Sequence, residues 1–262
     1  SVLLPAPYWT AFHGIIQDNS LEPRIIELEL EKNWQLTASE VEKHAATNTR
    51  ALILNNPHNP TSVIWSEKNV REVTAVCNAR GFPVLFDYAY SDLAFENQSE
   101  GKIDLEKNFV TKTFSKLYGM SGWRIGYAIC NKEFAKRLAA LNSITFTCVP
   151  TFVQKAALAA LDDSRADVVK QFKKRAGLAM KILASHGIAC AEPKAGFYIF
   201  PRLSCNGLVL ANELLEKHSI AITPGAAFGD SYLNYARISL TQPLEVLEQA
   251  LEKICETAVS RK

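Results

Sequence analysis

The chain has 262 residues, enough to bury a core in one large domain or in a large and a small one. Hydrophobic residues make up 48% and charged residues 21%, and 29 basic against 27 acidic residues leave a net charge of +2, which gives no case for nucleic acid or an anionic membrane as partner. The six cysteines (Cys77, Cys130, Cys148, Cys190, Cys205, Cys255) form no C-x-x-C pair, so a disulfide framework or a metal site is not expected, and a reducing, cytoplasmic setting fits.

In chain order, Ser1-Val2-Leu3-Leu4 is an apolar opening without a methionine, as though the chain began inside a strand, and a longer parent chain is expected. Strands are expected at Val2–Leu4, Ile25–Leu28, Arg50–Leu54, Pro83–Asp87, Phe109–Phe114 and Ile125–Cys130. Helical segments lie between them. Thr37-Ala-Ser-Glu40 reads as a capping box, and Ser66 caps a helix that stops at Gly81. This alternation predicts an α/β fold with a mostly parallel sheet and helices on both faces. Val84-Leu85-Phe86 is apolar on both sides, as a covered parallel strand requires. Pro150 to His186 reads as helical. After Gly187, short signals at Gly196–Pro201, Leu208–Lys217, Ile220–Thr223, Tyr235–Leu240 and Pro243–Val259 predict a smaller α+β domain. The division falls at residues 1–170 and 171–262.

Four segments carry chemistry. Asp87 ends a buried strand, where open α/β sheets bind ligands, and Tyr90 follows it. Alone, that pattern also suits a capping aspartate. Thr111-Lys-Thr-Phe-Ser-Lys116 places small hydroxyls ahead of a lysine, and Tyr118-Gly-Met-Ser-Gly-Trp-Arg124 adds glycines and an arginine, which together suggest an anion site. A lysine in such a pocket loses pKa and becomes nucleophilic. Asn55-Asn-Pro-His-Asn59-Pro-Thr holds two Asn-Pro steps in a rigid turn able to aim one amide. Arg237 stands in an otherwise apolar strand and requires a counter-ion, internal or bound.

Together these segments resemble the class I/II aminotransferases of pyridoxal-phosphate (PLP) fold type I, especially their bacterial aspartate-aminotransferase branch. The likeness runs in order from Pro7 to Arg237. It implies that Trp9 stacks on the pyridine ring, that Asn59 and Tyr90 donate to its phenolic O3′, and that Asp87 pairs with its ring nitrogen. By the same likeness Thr113 and Arg124 hold the phosphate, Lys116 forms the Schiff base and acts as acid/base, and Arg237 grips the substrate α-carboxylate. The implied activity moves an amino group between an amino acid and a 2-oxo acid in a homodimer, with no metal.

Ser62 stands where the family's Asn-Pro-Thr turn usually continues with glycine, an expected change of turn geometry. Tyr88 and Ala89 replace a more usual acidic-apolar pair and are expected to reshape the pocket beside O3′. Family members also open with a glycine-rich phosphate cradle and a tyrosine that reaches the partner's cofactor, and neither is among these residues. Two rivals follow: a PLP-dependent carbon–sulfur β-lyase, whose relatives commonly carry histidine at the position of Tyr90, or another PLP enzyme of the same fold; and the non-catalytic aminotransferase-like domain of a transcription regulator. His13, His44, His58, His186 and His218 receive no role, although His58 precedes Asn59 in the turn. The cysteines are expected to be packing groups, and the donor amino acid is not legible.

Overall fold

The computed structural model describes residues 1–96 and 101–261. Its first part runs β1 (Val2–Ala6), α1 (Thr10–Asp18), β2 (Pro23–Glu27), α2 (Ala38–His44), β3 (Ala51–Asn55), α3 (Glu67–Ala79), β4 (Val84–Asp87), β5 (Phe109–Thr113) and β6 (Gly126–Ile129). These strands form a 6-stranded sheet in the order β2-β1-β3-β4-β5-β6. All neighbouring pairs are parallel except β5 with β6, which is antiparallel.

The two faces of the sheet bury different sets of side chains. Leu3, Leu52, Leu54 and Phe86 pack on one face with Val41 of α2 and with Val73 and Cys77 of α3. Val2, Leu4 and Ile53 pack on the other with Phe12 and Ile16 of α1. A strand covered on both sides must be apolar at successive positions, which is why β1 is buried along its whole length. Proline is tolerated at position 5 of this inner strand because pairing with β3 extends only over Val2 and Leu3. The helix starts follow their sequence signals. Thr37 Oγ1 accepts from the Glu40 N–H at 3.3 Å while Glu40 Oε2 accepts from the Thr37 N–H at 2.9 Å. Ser66 Oγ accepts from the Asn69 N–H at 3.1 Å, and beyond α3 the chain turns at Gly81 with φ 82°.

The second part holds α4 (Lys132–Thr145), α5 (Thr151–Leu161), α6 (Ala166–Ser185), β7 (Tyr198–Ile199), α7 (Gly207–His218), β8 (Thr223–Pro224), β9 (Ala236–Ser239) and α8 (Leu244–Val259). The helical stretch expected from Pro150 to His186 is two helices, divided where Arg165 takes the left-handed φ of 48°. Helix α4 is not among the elements expected from the sequence; Asn131 Oδ1 caps it by accepting from the Phe134 N–H at 2.9 Å, and none of its residues is buried. Strands β7, β9 and β8 form a 3-stranded antiparallel sheet in that order. Ile199 and Ile238 of that sheet share a core with Leu183 of α6, Leu210 of α7, and Leu251 and Ile254 of α8.

The two parts interlock. Phe200, Phe228 and Tyr232 are buried in the core of the six-stranded sheet. The Tyr232 hydroxyl donates to the Ala6 carbonyl at 2.6 Å and accepts from the Leu28 N–H at 3.2 Å. In contrast, β6 and the helices that follow it present an apolar face to solvent, with Ile144 81% and Phe146 80% exposed. None of the described helices is long and apolar enough to cross a membrane, and the described residues hold no group of His, Cys, Asp or Glu arranged for a metal ion.

The Tyr232 hydroxyl adds a second partner to the Ala6 carbonyl and the Leu28 N–H, which also pair with each other at 2.8 Å, so Tyr232→Phe is expected to lower unfolding stability by about 1 kcal/mol, read as a reduced denaturant midpoint at unchanged slope. A midpoint equal to that of the parent chain contradicts the latch.

Candidate active site

Four parallel strands end at the same edge, and each delivers one part of the site, as the carboxyl edge of an open α/β sheet does. Beyond β1 comes Trp9, beyond β3 Asn59, at the end of β4 Asp87 with Tyr90 after it, and at the end of β5 Thr113 with Lys116 after it. Because β6 is antiparallel, its first residue lies at this edge too. Gly126 is in register with Thr113, which brings the preceding Arg124 alongside. Glycine is required there, since a Cβ would lie 2.6 Å from the Lys112 carbonyl oxygen. Trp9, Asn59, Asp87, Tyr90, Thr113, Lys116 and Arg124 thus line one cleft of about 320 Å³. Arg237 approaches from β9, where its Nη1 donates to Asn59 Oδ1 at 3.3 Å. All eight residues singled out from the sequence therefore meet in one place.

Asp87 is fixed from two sides. Asn55 Nδ2 donates to Asp87 Oδ2 at 3.1 Å, and the Ala89 N–H donates to Asp87 Oδ1 at 3.1 Å. Burial nevertheless pushes its pKa up to about 6, against the opposing pull of the Ala89 N–H and the Lys116 charge. A carboxyl in this state is set to ionise fully once a cation faces it.

Lys116 is half-buried, with Nζ 5.3 Å from the centre of the Tyr90 ring. Burial lowers its pKa first, with Arg237 and Arg124 adding to the effect and Asp87 opposing it. The amine is therefore held closer to its neutral, nucleophilic form than a surface lysine is. The Tyr90 phenol is buried and its pKa is raised, mainly by desolvation, so it stays a hydrogen-bond donor. Thr113 Oγ1 donates to Ser115 Oγ at 2.9 Å. Arg124 adopts a left-handed φ of 53° and donates from Nη1 to the Ser121 carbonyl at 2.7 Å. Trp9 is 42% exposed and packs edge-on against Phe12, which leaves an indole surface at the cleft.

No internal carboxylate pairs with Arg237 among the described residues. The guanidinium lies instead 4.2 Å from the centre of the Tyr198 ring and 5.0 Å from that of Phe228, and Nη2 donates to Thr223 Oγ1 at 3.4 Å. Sequence reasoning also passed over Asn55. Its amide serves Asp87 while its Oδ1 accepts from the Asn59 N–H at 2.8 Å. The available signal was register, since Asn55 is paired directly with Asp87 across β3 and β4.

Among the neighbouring residues, Tyr88 departs from expectation. Tyr88 is buried beside Phe86 in the core and does not shape the cleft, because it points to the opposite side of the chain from Asp87, whereas Ala89 does line it. Ser62 takes a left-handed φ of 57°, a conformation glycine adopts without cost. His58 is buried, pairs with Thr61 Oγ1 at 2.8 Å and lies against Trp65, and burial takes its pKa down to about 3. It is neutral and lies under the turn, outside the cleft lining.

An open α/β sheet whose carboxyl edge joins a lysine of lowered pKa, a carboxyl of raised pKa and an arginine is the arrangement of an enzyme's active site. The chain belongs to the aminotransferase class I and II family, whose model matches residues 1–254. It is 35% identical to an aspartate aminotransferase of Thermococcus kodakarensis, over 98% of this chain and 70% of that one. An aromatic-amino-acid aminotransferase of Thermococcus litoralis is 28% identical over 100% of this chain and 70% of its own length. Among solved structures, an aspartate aminotransferase from Thermotoga maritima superposes with a TM-score of 0.93 at 28% identity, covering 97% of this chain and 68% of that one.

The raised pKa of Asp87 fixes the sign of a pH effect. Between about 4 and 6 the folded, ligand-free protein holds a proton that the unfolded chain has lost, so this group stabilises the fold below that window and its contribution is lost as pH rises through it. Asp87→Asn removes the titration. Its melting temperature relative to the parent is expected to rise between pH 4 and pH 7 by the equivalent of up to about 3 kcal/mol. A difference that does not vary with pH contradicts the assignment.

Proposed function

We propose that the cleft holds pyridoxal 5′-phosphate, attached through Lys116 Nζ, and that the protein moves an amino group between an amino acid and a 2-oxo acid. The observation that carries the reading is the convergence of Lys116, Asp87, Tyr90 and Arg124 on a single cleft. The donor set fits the cofactor. Asp87 offers a buried carboxyl to a protonated ring nitrogen, Asn59 and Tyr90 offer an amide and a phenol to a phenolate, and Trp9 offers a flat face to the ring. Thr113 and Arg124 offer a hydroxyl and a guanidinium to the phosphate. When bound, the cofactor supplies an electron sink for the electrons of a breaking Cα–H bond.

The rest is done by the chain. An opposing cation lowers the Asp87 pKa and holds the carboxylate ionised, so the ring-nitrogen proton stays in place. Tyr90 keeps its proton and donates it as a hydrogen bond. Lys116 Nζ, released by the incoming amine, moves the proton at the substrate Cα. Arg237 fixes the α-carboxylate by two parallel hydrogen bonds and so orients the Cα–H bond toward Lys116. Asn59 Oδ1 is already engaged with Arg237, which leaves its Nδ2 as the donor to the cofactor and ties the carboxylate site to the ring site.

Aspartate, the substrate named for the 35% identical relative, is the first donor to test. The relatives' names favour amino transfer over β-elimination or regulation. The reading keeps two units, residues 1–170 and 171–262, and places the protein in the cytoplasm as a homodimer. The apolar face at β6 and α4 supports the homodimer, since surface of that kind is normally covered.

With added pyridoxal phosphate the protein is expected to develop a visible absorbance band that borohydride removes while fixing the cofactor to the chain. Lys116→Ala is expected to show neither. A parent chain without the band, or a variant that retains it, overturns the cofactor assignment. Arg237→Leu is expected to raise KM for both amino acid and oxo acid about 10–100-fold, the cost of a lost charge-assisted contact. An unchanged KM removes Arg237 from substrate binding.

A further inference from the structure

We infer that Tyr198 is a positioning residue that couples the carboxylate-binding Arg237 to the Tyr90 phenol beside Lys116; this rests on the roles proposed above for Arg237 and Tyr90. Tyr198 belongs to β7 and is in register with Ser239 of β9, the strand that carries Arg237. Its ring centre lies 4.2 Å from the Arg237 guanidinium and 6.0 Å from the Tyr90 ring centre, the two phenols meeting edge-on. Tyr90 in turn lies under Lys116 Nζ at 5.3 Å. One aromatic side chain therefore touches both halves of the site.

The physical case begins with Arg237. It makes no ion pair among the described residues, and its recorded partners are two neutral side-chain oxygens and two aromatic rings. A guanidinium against ring faces keeps favourable electrostatics without a carboxylate that a substrate would have to displace. The planar fork is held in one orientation before the ligand arrives, so less ordering remains to be done on binding. Phe228 on the other side is a core residue with no polar group. Tyr198 alone of the two also reaches Tyr90, meeting its ring edge-on at 6.0 Å, and its hydroxyl adds to the upward push on the Tyr90 pKa that burial leads. The ring of Tyr198 thus meets Arg237 and Tyr90 together.

Tyr198→Phe keeps the ring and removes the hydroxyl, whereas Tyr198→Leu removes both, so the pair separates the two contributions. The probe for the first is succinate, titrated calorimetrically into the cofactor-free proteins. Tyr198→Leu is expected to weaken succinate about tenfold, and Tyr198→Phe to bind it within about twofold of the parent. The second readout is the pH titration of the visible band in the loaded proteins. Its midpoint is expected to move by about half a unit in Tyr198→Phe, with KM nearly unchanged.

Succinate binding unaffected in Tyr198→Leu, or absent in the parent chain, overturns the inference. So does a Tyr198→Phe titration identical to the parent's. If Tyr198→Leu fails to fold, Tyr198→His, a smaller ring that still presents a π face, replaces it, and full loss of succinate binding there overturns the inference. A parent chain with no visible band refutes the cofactor reading instead, and the succinate measurement still decides whether Tyr198 holds Arg237.

Discussion

The site depends on the pairing of β3 with β4 in a register that sets Asn55 opposite Asp87. From that position one amide side chain does two things. Its Nδ2 holds the Asp87 carboxylate at 3.1 Å, and its Oδ1 holds the Asn59 N–H at 2.8 Å. The carboxyl under the ring site and the turn beside it are therefore fixed relative to each other by a rigid pair of strands rather than by loop packing. A slip of one residue would send Asn55 to the opposite face and leave Asp87 buried with one donor fewer. The sheet's apolar faces prevent that slip, because every strand residue beside Asn55 has a core position to keep.

Electrostatics then divide the cleft. Asp87, held by donors yet desolvated, retains a raised pKa, while Lys116, desolvated and near two arginines, has a lowered one. The two shifts have opposite directions, each favouring the neutral form of its group in the ligand-free cleft. Neither shift comes from one strong partner. Burial is the leading cause of each, so the sheet edge itself, not a particular contact, sets the reactivity.

Much of this was legible in the chain. The strand positions, the capping box at Thr37 and the residues Asp87, Tyr90, Lys116 and Arg124 all leave local marks, because a buried strand end and a glycine-flanked turn constrain residue type over a few positions. What was not legible is non-local. Asn55 looked like part of a turn, and its function exists only through the register of a neighbouring strand. Tyr198 looked like one apolar residue among several in Gly196–Pro201, and its value comes from β9 lying beside it. Helix α4 has a capping Asn131 and apolar residues of its own, and none of them is buried within this chain. Within the chain Arg237 meets aromatic faces and neutral oxygens, which no short sequence pattern encodes, and the bound counter-ion that the sequence also allowed is the substrate carboxylate proposed for it.

The eight residues of the site, seven lining the cleft and Arg237 beside it, lie along the chain from Trp9 to Arg237, and the Tyr232 phenol, which docks on Ala6 and Leu28, comes almost as late as Arg237. During synthesis the lysine and its carboxylate leave the ribosome long before the aromatic cradle that places the second arginine. A chain grown only past Lys116 carries the lysine and its neighbouring carboxyl without the β9 arginine. It lacks with Arg237 one of the charges that lower the Lys116 pKa, so the electrostatics of the lysine are completed by a strand made more than a hundred residues later.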